Sequence, residues 1–265
     1  MSTVLVPLDE TAFAESILPD ATQLAGPGGR LELVYVVDPG KEAADVERYL
    51  SNEAQLLQAS GFQVSTTVLT GGDIPHAIDK GVTELGAEMV AVATHGANRG
   101  GRLARSSIAW KTLAHSPVPM LFRHTQEGQV RELDERSPQP VAIMVPLDGS
   151  RRAEQALPVA AALAAKWQGS LVLMQIGPEA TGDQAYLDRI AHNLTVPVRT
   201  ALGHGNAGEA LAQLAEEHAI THVVMTSHGR TGLSRVLAGD VAADLIERLP
   251  LPIIVIPSLV AEQRL

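Results

Sequence analysis

The segments able to do chemistry come in pairs. Asp9 closes the run Val6-Pro7-Leu8-Asp9, and Asp148 closes Val145-Pro146-Leu147-Asp148. Thr94-His95-Gly96 has its counterpart in Ser227-His228-Gly229. A carboxylate at a strand end can hold sugar hydroxyls or the edge of a base. Glycines leading into a helix let backbone N–H groups and the helix dipole approach an anion such as phosphate. Neither histidine has a nucleophile beside it in sequence, so covalent catalysis is not expected.

Each candidate also has a plainer reading. Asp9 and Asp148 could be turn or N-cap residues ahead of a helix, with Ser150 sharing that duty. Asp240 could join a magnesium site, but an N-cap for the helix Val241 to Arg248 is the favoured reading. Gly203-His204-Gly205-Asn206-Ala207-Gly208 matches G-x-G-x-x-G, the dinucleotide fingerprint. It follows the third strand of its repeat rather than the first. The strand after it, Val223 to Ser227, ends without an acidic residue, and its partner Thr70 to Pro75 lacks the pattern. A tight strand-to-helix turn is the better reading, and a nicotinamide-dependent dehydrogenase the lesser one. His218 and His222 lack an evident third ligand for a metal.

These pairs belong to a repeat. Asp148 lies 139 residues after Asp9, and Pro158 lies the same distance after Pro19. His228 lies 133 residues after His95, and the closing runs Pro117 to Phe122 and Pro250 to Val255 keep that offset. Three anchors in the same order define two copies, 1–125 and 140–265, joined by a polar linker over 126–139.

Within each copy, apolar runs alternate with helical patterns. Strands are expected at 3–8, 31–37, 62–69, 88–94 and 118–122, then at 141–147, 170–176, 196–202, 222–227 and 252–257. Helices are expected at 12–25, 151–167, 207–218 and 239–248. The nearly continuous apolar runs Leu31 to Val37 and Met89 to Thr94 suit strands covered on both faces. The fold class is α/β: two tandem doubly wound parallel sheets of five strands each. With strand order 3-2-1-4-5, taken from the fold type, strands one and four flank the switch point where such sheets bind ligands. That order sets Asp9 beside His95-Gly96, and Asp148 beside His228-Gly229.

Composition narrows the partners. The chain has 265 residues, no cysteine and a formal net charge of −10, with 45% hydrophobic residues. Disulfides and thiolate metal sites are excluded. An acidic surface disfavours nucleic acid and anionic membranes as generic partners. The longest apolar helical stretch, Ala156 to Ala165, is too short to span a bilayer. No signal peptide is evident, and the reading is a soluble cytoplasmic protein.

Taken together, these residues resemble the universal stress protein family, as two family domains over nearly the whole chain. The family's features are a Pro-x-Asp end to strand one and a Gly-x2-Gly-x9-Gly-[Ser/Thr] signature after strand four. The resemblance implies an ATP site in nucleotide-binding members, with the loop and following helix N-terminus on the phosphates. The strand-one Asp and a residue ending strand two would hold ribose and adenine. Carried onto this chain, the set in copy two is Asp148, Ile176, Gly229, Arg230, Gly232, Gly239, Asp240 and Val241; in copy one it is Asp9, Val36, Gly96, Ser106 and Ser107. Both copies depart from the signature. Thr226 and Ala93 replace the first glycine, Ser106 replaces the last in copy one, and Asp240 replaces the hydroxyl residue in copy two. A carboxylate there would repel a triphosphate unless Mg²⁺ bridged them. The expectation is adenine-nucleotide binding, ATP above all, in at least one copy, with slow hydrolysis at most. The alternative is a degenerate module that acts through assembly. The closing runs Val118 to Phe122 and Ile253 to Ile256 would then pair as edge strands, giving a pseudo-dimer of the two copies or a homodimer of chains.

Overall fold

The computed structural model describes residues 2–37, 43–95, 108–125, 140–177, 183–227 and 240–257. The chain divides into two compact units, Met1–Glu135 and Arg136–Leu265.

The N-terminal unit runs β1 (Thr3–Pro7), α1 (Ala12–Glu15), α2 (Leu18–Ala25), β2 (Arg30–Val37), α3 (Ala43–Ala59), β3 (Gln63–Thr70), α4 (Ile74–Glu84), β4 (Met89–His95), α5 (Ile108–His115) and β5 (Met120–Thr125). The C-terminal unit repeats it: β6 (Ala142–Leu147), α6 (Arg151–Glu154), α7 (Ala156–Lys166), β7 (Ser170–Gly177), α8 (Gln184–His192), β8 (Val198–His204), α9 (Ala207–Glu217), β9 (His222–Thr226), α10 (Asp240–Arg248) and β10 (Ile253–Ile256).

Within the N-terminal unit the strands lie in the order β3-β2-β1-β4-β5, and within the C-terminal unit in the order β8-β7-β6-β9-β10. Every pairing inside a unit is parallel, with β1 against β2 and β4, and β6 against β7 and β9. The expected 3-2-1-4-5 order therefore holds in both. Val4, Leu5 and Val6 of β1 are fully buried, as are Ile143, Met144 and Val145 of β6. Strands this apolar need cover on both sheet faces, and right-handed crossovers leaving the central strand in opposite directions supply it.

One expectation needs correcting. The stretches 12–25 and 151–167 are not single helices; each breaks after a short first turn, at Ser16-Ile17 and at Gln155. Pro19 and Pro158 explain the break in both. A continuous helix would need their N–H groups to bond Glu15 and Glu154, and proline has none. In the N-terminal unit, Ser16 Oγ also donates to the Phe13 carbonyl at 2.6 Å, which satisfies an acceptor freed by the break.

Candidate functional site

In the C-terminal unit, β6 sits between β7 and β9, and the chain leaves it first toward β7 and later returns on the β9 side. Loops diverge at that point, so the sheet opens above the end of β6. There lies a crevice that opens to solvent. Pro146 and Leu147 from β6, Met174 and Ile176 from β7, and Met225 and Thr226 from β9 form its strand side. Ala207 and Leu211 of α9, Val241 of α10 and Ala153 of α6 form its helical side. Apart from Thr226 and the carboxylate of Asp148, the lining side chains are apolar, a composition suited to a flat apolar ring system.

Asp148 is placed by the turn that follows β6. Gly149 takes φ +80°, a left-handed conformation that glycine adopts without strain. The Asp148 side chain accepts the Ser150 N–H at 3.0 Å, and Ser150 in turn caps α6 by accepting the Ala153 N–H at 3.1 Å. The N-terminal unit repeats this arrangement. Asp9 accepts the Thr11 N–H at 3.2 Å, and Thr11 caps α1 through the Ala14 N–H at 3.1 Å. The cap readings of Asp9 and Asp148 are thereby corrected: Thr11 and Ser150 are the caps, and each aspartate stands two residues earlier, supporting its cap.

The end of β7 has its own role. β6 pairs no further than Leu147 with Gln175, while Ile176 and Gly177 run on, still paired with Gly203 and His204 of β8. Among the described residues, the β6-side backbone of this overhang has no strand partner. In the N-terminal unit, Pro7 pairs with Val34, and Val36 likewise lies past the end of β1 while pairing with Leu69.

In each unit a tyrosine feels the glutamate of the first short helix. Tyr49 donates to Glu15 at 2.9 Å, and burial, then Glu15, pushes its phenol well above the usual tyrosine range. Tyr186 is raised by the same causes, burial first and then the Glu154 carboxylate. Burial, then Glu15, also raises Glu53.

Of the residues expected at the site, Asp148, Ile176 and Val241 come together on this one crevice from three separate elements. Asp240 is the first residue of α10, beside Val241, rather than a residue preceding the helix. Asp9 and Val36 occupy the corresponding strand ends of the N-terminal unit. Gly96, Ser106, Ser107, Gly229, Arg230, Gly232 and Gly239 lie outside the described residues. The sequence reading passed over Met174, Met225 and Leu211. Their signal was positional: two stand near the ends of strands two and four, and the third lies one turn into the helix after strand three.

The G-x-G-x-x-G segment is accounted for without a dinucleotide. A Cβ at Gly203 would lie 2.7 Å from Ile176 Cδ1. Gly205 takes φ +95° at the turn into α9, where Asn206 accepts the Gly208 and Glu209 N–H groups as cap. Gly208 admits the Asp244 side chain of α10. His222 is equally structural, with its ring 4.6 Å from that of Trp167. No cluster of three or more metal-binding side chains occurs among the described residues. No helix among them is long and apolar enough to cross a membrane.

Two α/β units with parallel sheets, each with a strand-end aspartate at its switch point, define a tandem protein of the doubly wound class. The universal stress protein family profile matches residues 1–123 and 177–257, and the chain belongs to that family. Among solved structures, a universal stress protein from Archaeoglobus fulgidus DSM 4304 is 18% identical, with a TM-score of 0.73 and 96% of each chain covered. A Pseudomonas aeruginosa UCBPP-PA14 protein assigned to the same group is 18% identical, with a TM-score of 0.74 over 99% of this chain and 96% of that one. The cytoplasmic domain of a prokaryotic cation chloride cotransporter shares the fold at 15% identity and a TM-score of 0.57, with 99% of each chain covered. No curated protein matches the chain.

Proposed function

We propose that the C-terminal unit binds an adenine nucleotide, ATP above all, and that the protein acts in a stress or regulatory role through that binding. The base would enter the slot between Met174, Ile176 and Leu211, its edge on the backbone of the β7 overhang. Asp148 would accept from the ribose hydroxyls. Gly229, Arg230, Gly232, Gly239, Asp240 and Val241 would surround the phosphates, with Mg²⁺ offsetting the Asp240 charge. The observation that carries this reading is the convergence of Asp148, Ile176 and Val241 on one mostly apolar crevice at the switch point.

The N-terminal unit would supply a second, weaker site from Asp9, Val36, Gly96, Ser106 and Ser107. Its strand-one turn is more acidic. Asp9 is followed by Glu10, Ala12 and Phe13, where the C-terminal unit has Gly149, Arg151 and Arg152. Self-association through β5 and β10 belongs to the same proposal, since within its own unit each has a single strand neighbour. A cytoplasmic location suits the lack of cysteine.

Thermal unfolding with ATP and Mg²⁺, and with NADH as control, tests the reading. Ligand at 100 times its dissociation constant adds about 2.7 kcal/mol, a shift of several degrees. The expected result is protection by ATP alone, largely lost in Asp148→Ala and mostly kept in Asp9→Ala. Equal protection by NADH, or none by ATP, would sink it.

A further inference from the structure

Helices α9 and α10 form one wall of the crevice and approach closely where Gly208 meets Asp244. A Cβ on Gly208 would overlap Asp244 Oδ2 and lie 2.6 Å from Asp244 Cγ and 3.2 Å from its Cβ. The carboxylate of α10 thus occupies the space that any side chain at position 208 of α9 would fill. Its other oxygen, Oδ1, accepts from Arg248 Nε at 2.6 Å, and Arg248 Nη2 lies 3.7 Å from Glu209 of α9. The arginine, itself partly exposed, holds the aspartate in its rotamer and leans back onto α9.

The geometry of the two helices links this contact to the crevice. Val241 precedes Asp244 by three residues, so both lie on one face of α10. Ala207 and Leu211 flank Gly208 on α9, and Ala207, Leu211 and Val241 all line the crevice. A displacement of α10 that clears Asp244 from a side chain at position 208 would therefore carry Val241 away from Ala207 and Leu211. The N-terminal unit has no such device at the matching positions. Pro75 stands for Gly208, Lys111 for Asp244 and His115 for Arg248, while bulkier Ile74 and Ile108 stand for Ala207 and Val241.

We propose that Gly208, Asp244 and Arg248 are positioning residues that set the width of the C-terminal crevice, and thereby which unit accepts the nucleotide. The second half rests on the nucleotide reading above; the first does not.

The test uses the full chain labelled with ¹³C-methyl methionine, read with and without ATP. Met174 and Met225 line the crevice, and Met89 and Met120 in the N-terminal unit serve as internal controls. Gly208→Ala should shift the Met174 and Met225 methyl signals, leave those of Met89 and Met120 in place, and weaken ATP binding by about tenfold or more. Gly208→Ala with Asp244→Ala removes the overlap and should return the methyl signals and the affinity toward wild type. Unmoved crevice methyls in a folded Gly208→Ala protein would overturn the proposal, as would a double variant that restores neither signal. Should wild type bind no ATP while the methyls still move and recover, the spacing role stands and the nucleotide reading fails. A Gly208→Ala protein that does not fold leaves the double variant to decide. Its folding with wild-type methyl positions supports the contact as the cause, and its failure to fold overturns it.

Discussion

Asp20 and Arg123 form an ion pair at 2.9 Å inside the N-terminal unit, with side chains 2% and 10% exposed. At the matching positions of the C-terminal unit stand Val159 and Ile256. The same exchange recurs on the second strand. Glu32, wholly buried with Arg30 beside it, is matched by Val172, also wholly buried. Asp79, half-buried on α4, is matched by Ala212, and Glu10, at φ +65°, by Gly149. One backbone frame thus carries two interiors. The N-terminal unit spends free energy on desolvated charge and local strain, whereas the C-terminal unit meets the same positions with apolar residues or glycine. The frame needs volume and hydrogen bonding at these places; it does not need charge. Each pair of matched positions is therefore a ready-made substitution.

The buried ion pair offers the largest effect. Asp20→Ala breaks this buried ion pair and should cost about 3–5 kcal/mol. Asp20→Val with Arg123→Ile copies the C-terminal unit and should recover most of that loss, because an apolar pair of similar volume pays no desolvation. Denaturant unfolding of the three proteins reads both steps. If the double variant is as unstable as the single one, the two interiors are not interchangeable.

Asp79 sharpens the comparison through pH. Burial first, against the opposing charges of His115 and His76, raises its carboxyl from 3.8 to about 6. A raised carboxyl favours the protonated form in the folded state. Its contribution to stability is therefore fully present below about pH 4 and lost as pH rises through 6. Asp79→Ala should be more stable than wild type at pH 7.5, by about 1 kcal/mol once partial exposure is discounted, and the gain should vanish near pH 4. A gain of the same size at both pH values would assign it to helix propensity instead.

Glu10 carries the smallest effect. Replacing it with the glycine of the C-terminal unit relieves a left-handed residue and gives up a 3.4 Å bond from Tyr35, for a net gain of about 0.5–1 kcal/mol by thermal unfolding. Loss of stability would mean that the Tyr35 contact outweighs the strain.

Much of this was legible before the structure. The repeat anchors announced a tandem pair, and parallel-sheet strands announced themselves as unbroken apolar runs because both faces are covered. Strand ends came within a few residues. The helix breaks after Glu15 and Glu154 were missed, although Pro19 and Pro158 were in view, because the apolar pattern continues across them. The G-x-G-x-x-G segment was legible as a turn, but not as one whose outer glycines, Gly203 and Gly208, make room for Ile176 and Asp244, since those duties depend on side chains from other elements.

By itself, the sequence determined the family, the duplication, the strand order expected of it and the aspartates that close β1 and β6. These are properties of local pattern and of spacing along one chain. Only the tertiary structure decided that Asp148, Ile176 and Val241 share a crevice with Met174, Met225 and Leu211. It alone showed that an aspartate on α10 fills the space left by a glycine on α9. Contacts between elements distant in sequence depend on how helices seat against the sheet, and side-chain volume at each seat sets that distance.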